Sequence, residues 1–301
     1  MAMRALVVLA SASACSPLTG RSWILGATHK TGTVLVNSVM RETDAEVLTF
    51  GQLLKPEADV PTGAIQVSNH LKWSNDTVVT FLDWAKDRKE DLRIAIFVRD
   101  PLEVILSAYF YHLRTDEWWV HEVMASNPMW DYFGECQPED PQGRGDSVAM
   151  AGCEIQKFHA GNFTYQQMLN AVDVTIGIAI EARRSYHDIS SMNKTFSVLK
   201  KYPHVARIYD LDDVTSSSEA YDANFADLFD FLGVDDVAHC VDQAAKYDLR
   251  RETKSALLAH TMASSMTTVR DALRVLIRKV PWFQHNIQPS REAMNYAYND
   301  E

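Results

Sequence analysis

No apolar run in this chain approaches the roughly 20 residues of a membrane-spanning helix. Positive charge is also in deficit: 29 Lys and Arg stand against 40 Asp and Glu, a net charge of -11. That balance argues against a long nucleic acid or another polyanion as partner, although a local cluster of donors can still hold a compact anionic ligand. Cysteine is scarce. Four in 301 residues do not build a disulfide scaffold, and no His or Cys spacing suits a metal. With 47% hydrophobic and 10% aromatic residues the chain can nevertheless bury a full core, so the disordered and collagen-like classes drop out.

The opening stretch MAMRALVVLASASACSP has one Arg, a short apolar segment from Ala5 to Ala10, and small residues ending near Cys15. It reads either as a secretory signal segment or as a disordered leader before the first core strand, and residues 1–20 are set apart on both readings. Cys136 and Cys153 bracket a Pro/Gly-rich loop that an oxidising compartment would bridge. N-x-[ST] occurs at Asn75, Asn162 and Asn193. These signals leave a cytoplasmic and a secretory-lumen location both open.

From residue 23 short apolar runs alternate with helical patterns. Trp23–Gly26, Ala64–Val67, Arg93–Val98 and Val205–Tyr209 predict strands. Residues 33–41, residues 76–89 and the segment opened by Pro101 predict helices. Strands separated by helices imply an α/β fold in three layers, a central parallel sheet with helices on both faces. Residues 114–162 break the pattern, first with Trp118, Trp119, Trp130, Tyr132 and Phe133, then with a Pro/Gly-rich run. They are expected to form an inserted lid or acceptor region within one domain spanning 21–301.

Two segments carry chemistry. In GATHKTGTVLV, residues 26–36, a buried strand enters a turn with Lys30 and Gly32, and a helix opens at Thr33. Backbone N–H groups of such a turn, with the positive end of the helix dipole, suit a phosphate or sulfate. The ATP-binding P-loop places Lys after its second Gly, whereas Lys30 here precedes Gly32, so this is a different motif. In RDPLEVILSAYFYH, residues 99–112, Arg99 stands at the carboxyl end of a central strand, where open α/β sheets place ligands. Ser107 follows about two helical turns on, and an Arg with a hydroxyl makes a charge-assisted phosphate site. Alternatively Arg99 pairs with Asp100 or another nearby carboxylate.

Together these segments resemble the sulfotransferases that use 3′-phosphoadenosine 5′-phosphosulfate (PAPS). Lys30-Thr31-Gly32-Thr33-Val34 is similar to that family's 5′-phosphosulfate loop, and Arg99-Asp100-Pro101 with Ser107 to its 3′-phosphate motif. Arg183-Arg184-Ser185-Tyr186-His187 looks like the stretch whose Tyr contacts the adenine, and Arg278-Lys279 falls where the family has a further 3′-phosphate contact. The resemblance spans roughly residues 22–285 and is weak between 114 and 162. It implies a P-loop NTPase-like three-layer fold and no required metal. It also implies a small-molecule or carbohydrate acceptor, and leaves open whether the chain forms a homodimer. Leu35 stands where cytosolic members often stack a Trp, and Val280 replaces the Gly after Arg278-Lys279.

The resemblance gives Lys30 the leaving-group oxygen and lets Ser107 restrain Lys30 until the acceptor arrives. His70, in Val67-Ser68-Asn69-His70-Leu71, is the expected base, since an imidazole near its ordinary pKa suits deprotonation of a hydroxyl. Glu46 is the rival base. A nucleotide-dependent kinase and a catalytically silent nucleotide-binding relative are the alternatives. The kinase lacks a recognisable magnesium-holding Asp after an apolar strand.

Overall fold

The computed structural model describes Cys15, Leu18 and residues 20–28, 30–41, 64–67, 73–126, 146–248, 250–251 and 267–296. His70, Glu46, Cys136, Trp130, Tyr132 and Phe133 lie outside the described residues.

Four strands form one sheet: β1 Arg21–Ala27, β2 Ala64–Val67, β3 Asp91–Val98 and β4 Ala206–Asp210. Their order is β2-β1-β3-β4 and every pairing is parallel. The central pair β1 and β3 carry continuous apolar runs, Trp23–Ala27 and Ile94–Val98, because helices cover both of their faces there. Alternate residues go to opposite sides, as the pleat requires. Ile24, Ile94, Ile96 and Val98 join one core, and Trp23, Leu25, Ala95 and Phe97 the other. Each such fully buried side chain contributes roughly 1.5–3 kcal/mol relative to exposure. The α/β, three-layer architecture expected from the sequence is therefore present.

Helix α1, Thr33–Arg41, follows β1 and packs on the second core through Val36 and Val39. Helix α2, Asn75–Arg88, opens with a capping box in which Ser74 and Thr77 satisfy one another's backbone donors. Helix α3, Pro101–His112, leaves the end of β3 with Pro101 in its first turn and the Asp100 carboxylate accepting the Leu102 N–H at 2.9 Å. Ten of its 12 residues are buried, so α3 is the central helix of the first core.

The next helices are α4, Asp146–Ala160; α5, Tyr165–Ala171; and the 26-residue α6, Val174–Leu199. Ala151 and Ile155 of α4 are fully buried in the first core. Within the 114–162 stretch, α4 is thus a core helix. After β4 come the short α7, Leu211–Val214, then α8, Ser218–Leu232, and α9, Val237–Ala244, which cover the opposite face. Helices α10, Thr267–Arg278, α11, Pro281–Asn286, and α12, Gln288–Ala293, close the first core with Leu273, Ile277 and Phe283.

Cys15 is buried beside this second core and bridged to Cys240 of α9, with their Cα atoms 5.4 Å apart. Sequence reading did not foresee that pair. Cys153 of α4 is also disulfide-bonded. Asn75 and Asn162 are exposed, whereas Asn193 is half-buried within α6.

Candidate active site

The parallel register sets the site. Ala27 pairs with Phe97 and Val98 with Asp210, so β1, β3 and β4 end level with one another. Their carboxyl ends deliver Thr28, the turn 30–32, Arg99 and the segment Asp210–Asp213 to one edge, where open parallel sheets place their ligands.

Thr28 and Thr31 brace the turn from inside. The Thr28 N–H donates to Thr31 Oγ1 at 2.7 Å, and the Thr31 hydroxyl and Thr33 hydroxyl both donate to the Thr28 carbonyl, at 2.9 and 3.1 Å. Thr31 is fully buried, so its side chain holds the loop shape. Lys30 adopts the left-handed region at φ 60 and Gly32 follows at φ 97. The first conformation costs a non-glycine residue about 1–2 kcal/mol, and the second is one that glycine tolerates. The helical ladder begins where the Val36 N–H donates to the Gly32 carbonyl at 2.8 Å. The N–H groups of Thr33, Val34 and Leu35 therefore precede it with no intrahelical carbonyl to reach, a ready anion cradle at a helix N-terminus. A Cβ on Gly32 would stand 3.0 Å from Leu211 Cδ1, so the end of β4 abuts the turn.

Arg99 is gripped by Asp212. Its Nε donates to Oδ1 and Oδ2 at 3.0 and 3.2 Å, and its Nη2 to Oδ1 at 2.7 Å. Burial would lower the guanidinium pKa, but the Asp212 carboxylate outweighs it and raises it. The carboxylate-pairing reading of Arg99 is the one seen, with Asp212 as partner. Asp100 instead pairs bidentately with the buried Arg291 of α12, both contacts 2.7 Å. Burial raises the pKa of Asp210, with Asp212 and Asp213 repelling its charge further.

Ser107 is half-buried on α3, one turn after Glu103 and one before Tyr111. Glu103 is paired with Arg270 and Arg274, which brings α10 against the Ser107 face of α3. Arg278 closes α10 and its carbonyl accepts from Gln284 Nε2 at 3.1 Å, while Lys279 is exposed in the following turn. Tyr186 stands 46% exposed on α6. Thus the strand edge gathers the turn 30–34 and Arg99, α3 carries Ser107 alongside, and among the described residues no contact draws Tyr186 or Lys279 to them.

A second group was not foreseen. Lys30 Nζ lies 3.3 Å from the centroid of the Tyr111 ring. Tyr111 donates to Glu117 Oε1 at 2.7 Å and Trp119 Nε1 to Glu117 Oε2 at 2.6 Å. Behind them His112 Nδ1 meets Glu181 Oε1 at 2.5 Å, both side chains fully buried, and Arg184 Nε donates to Glu181 Oε2 at 3.1 Å. Burial lowers the His112 pKa. Burial alone would raise the Glu181 carboxyl, but His112 and Arg184 hold it well below the usual carboxylate range. Lys30 is lowered to about 8, first by burial, with Glu117 and Glu181 opposing and Arg184 adding to the shift. The signal was in the sequence: His112 ends an apolar helix, and Glu181 is a lone carboxylate in the apolar run VTIGIAIEA, so each needs a buried partner. Among the described residues, no group of three or more His, Cys, Asp or Glu side chains is arranged to hold a metal ion.

No family model and no curated protein matches this sequence. Among solved structures, the chain is similar to the mouse sulfotransferase SULT7A1 complexed with PAP. The two share 11% identity over 93% of this chain and 90% of that one, with a TM-score of 0.40.

Proposed function

We propose that this protein is a PAPS-dependent sulfotransferase acting on a hydroxyl or amine of a small-molecule or sugar acceptor. One observation carries the reading: the Lys30–Val34 turn and Arg99 sit on the level carboxyl ends of the neighbouring strands β1 and β3. The donor set fits the 5′-phosphosulfate of PAPS, because the helix-start N–H groups of Thr33, Val34 and Leu35 and the Lys30 side chain all spring from one short turn.

In the proposed reaction the acceptor oxygen forms a new bond to sulfur while the bond from sulfur to the 5′-phosphate oxygen breaks. The acceptor proton passes to a base, for which His70 is proposed over Glu46. Lys30 neutralises charge on the departing phosphate, and Ser107, Arg99, Tyr186, Arg278 and Lys279 are the proposed 3′-phosphoadenosine contacts. Arg99 takes the 3′-phosphate on exchanging Asp212 for it.

A thermal shift with 3′-phosphoadenosine 5′-phosphate (PAP), against AMP and ATP-Mg, tests the reading. At 100 times Kd, PAP should add about 2.7 kcal/mol of apparent stability. A shift with ATP-Mg alone supports a kinase, and no shift with any nucleotide overturns the proposal. A PAP shift without sulfuryl transfer to any acceptor leaves the silent relative.

A further inference from the structure

The Lys30 ammonium has a defined seat. Its nitrogen lies 3.3 Å from the centre of the Tyr111 ring, well inside the range of a cation–π contact. That ring is itself held, because its hydroxyl donates to one oxygen of Glu117 while Trp119 donates to the other. The Glu117 N–H reaches Thr115 Oγ1 at 3.3 Å, which ties the carboxylate to the turn leaving α3. Trp119 is braced in turn by the edge of His112, 4.9 Å between centroids, and by the Arg184 guanidinium at 5.2 Å. The charged groups facing Lys30 are Glu117 from this loop and Glu181 and Arg184 from α6, with His112 of α3 behind the ring.

A lysine side chain has four rotatable bonds and normally samples many positions. Here the backbone is fixed at its root in the left-handed region and the far end rests on an aromatic face. We infer that Tyr111 and Glu117 are positioning residues that clamp the Lys30 ammonium at the mouth of the phosphate turn. Tyr111 supplies the seat and Glu117 sets its tilt. The catalytic meaning of the clamp rests on the sulfuryl-transfer reading, in which Lys30 must stand close to the leaving oxygen before the donor reacts.

The test is an NMR measurement on the full chain, with the Lys30 side-chain resonances assigned through a Lys30→Arg variant. Protons seated over a ring face are shifted upfield, so the Lys30 ε-methylene should resonate upfield of the other lysines. Tyr111→Phe should keep that displacement, Glu117→Gln should reduce it, and Tyr111→Leu should abolish it. In transfer assays Tyr111→Leu should lower kcat about tenfold with the donor KM little changed, and Tyr111→Phe should restore most of it. A Lys30 signal among the bulk lysines in the wild type overturns the clamp, as does an unchanged signal in Tyr111→Leu. Should Tyr111→Leu fail to fold, the wild-type signal and its response to Glu117→Gln decide. An upfield Lys30 signal in a protein that binds no PAP and transfers nothing leaves the clamp standing and removes the sulfotransferase reading.

Discussion

Arg99 holds Asp212 through three contacts of 2.7 to 3.2 Å, so the cation that the strand edge offers to a ligand is already bound to an internal anion. An incoming phosphate competes with a carboxylate tethered to the segment after β4. Only the fraction of molecules with Arg99 released is competent for that contact, which weakens the apparent affinity by that fraction.

Asp212→Asn should therefore tighten PAP binding roughly tenfold and leave AMP, which lacks the 3′-phosphate, unchanged. The same change leaves a buried guanidinium poorly paired and should cost about 1–3 kcal/mol of stability. Calorimetric titration and urea unfolding read the two effects. Equal affinity for PAP in variant and wild type removes Arg99 from the 3′-phosphate role.

Lys30 should set the alkaline limb of activity. Its pKa is lowered from 10.5 to about 8, chiefly by burial, so transfer that needs the ammonium should fall as pH rises through about 8. Stability moves the other way. The unfolded chain binds this proton more tightly, so Lys30 contributes an increase in stability between about pH 8 and its ordinary value. Lys30→Ala should abolish transfer and flatten that part of the stability profile, with folding otherwise near normal. A wild-type rate that holds steady to pH 10 contradicts the leaving-group role.

Gly32→Ala should lose about 1–3 kcal/mol, because φ 97 strains any Cβ and the new methyl meets Leu211 at 3.0 Å. PAP binding should weaken with it. Gly20→Ala is the control: φ is 83 there, but nothing lies within 4 Å, so strain alone is added away from the turn. Loss of PAP affinity in both variants to the same degree argues that the turn has no special part in binding.

The bridge between Cys15 and Cys240 joins residues 225 apart. In the chain-entropy account a loop of that length is worth about 5 kcal/mol. A Cys15→Ser, Cys240→Ser double variant should unfold at a clearly lower denaturant midpoint than the wild type. Coincident unfolding curves contradict the bridge.

Much of the scaffold could be read in advance, and for a physical reason. A strand buried on both faces, such as Ile94–Val98, must be apolar throughout, and a turn between it and a helix must announce itself with Gly or Pro. The runs at 23–26 and 93–98 accordingly lie inside β1 and β3, and Thr33 opens α1 as expected. Partnerships across the fold were harder. The strand-end position of Arg99 is visible in the sequence, but not that a carboxylate two residues beyond β4 reaches it. Arg184 and Tyr186 stand in one short stretch of sequence, yet neighbours on a helix point different ways. Arg184 turns inward to Glu181 while Tyr186 faces solvent. Cys15 reads as part of a leader because nothing local in the sequence ties it to Cys240.

The Cys15–Cys240 bridge has a mechanical consequence. All four strands lie between its two ends, so tension applied to the chain outside it passes through the sulfurs and bypasses the sheet. Among the described residues, helices α10 to α12 lie beyond the bridge toward the C-terminal side. Their grip on the remainder includes the Arg291 fork on Asp100 and the two arginines on Glu103. A pulling experiment, or an unfolding protease that starts at the C-terminal end, should peel this three-helix flap first and then stall against a covalent ring.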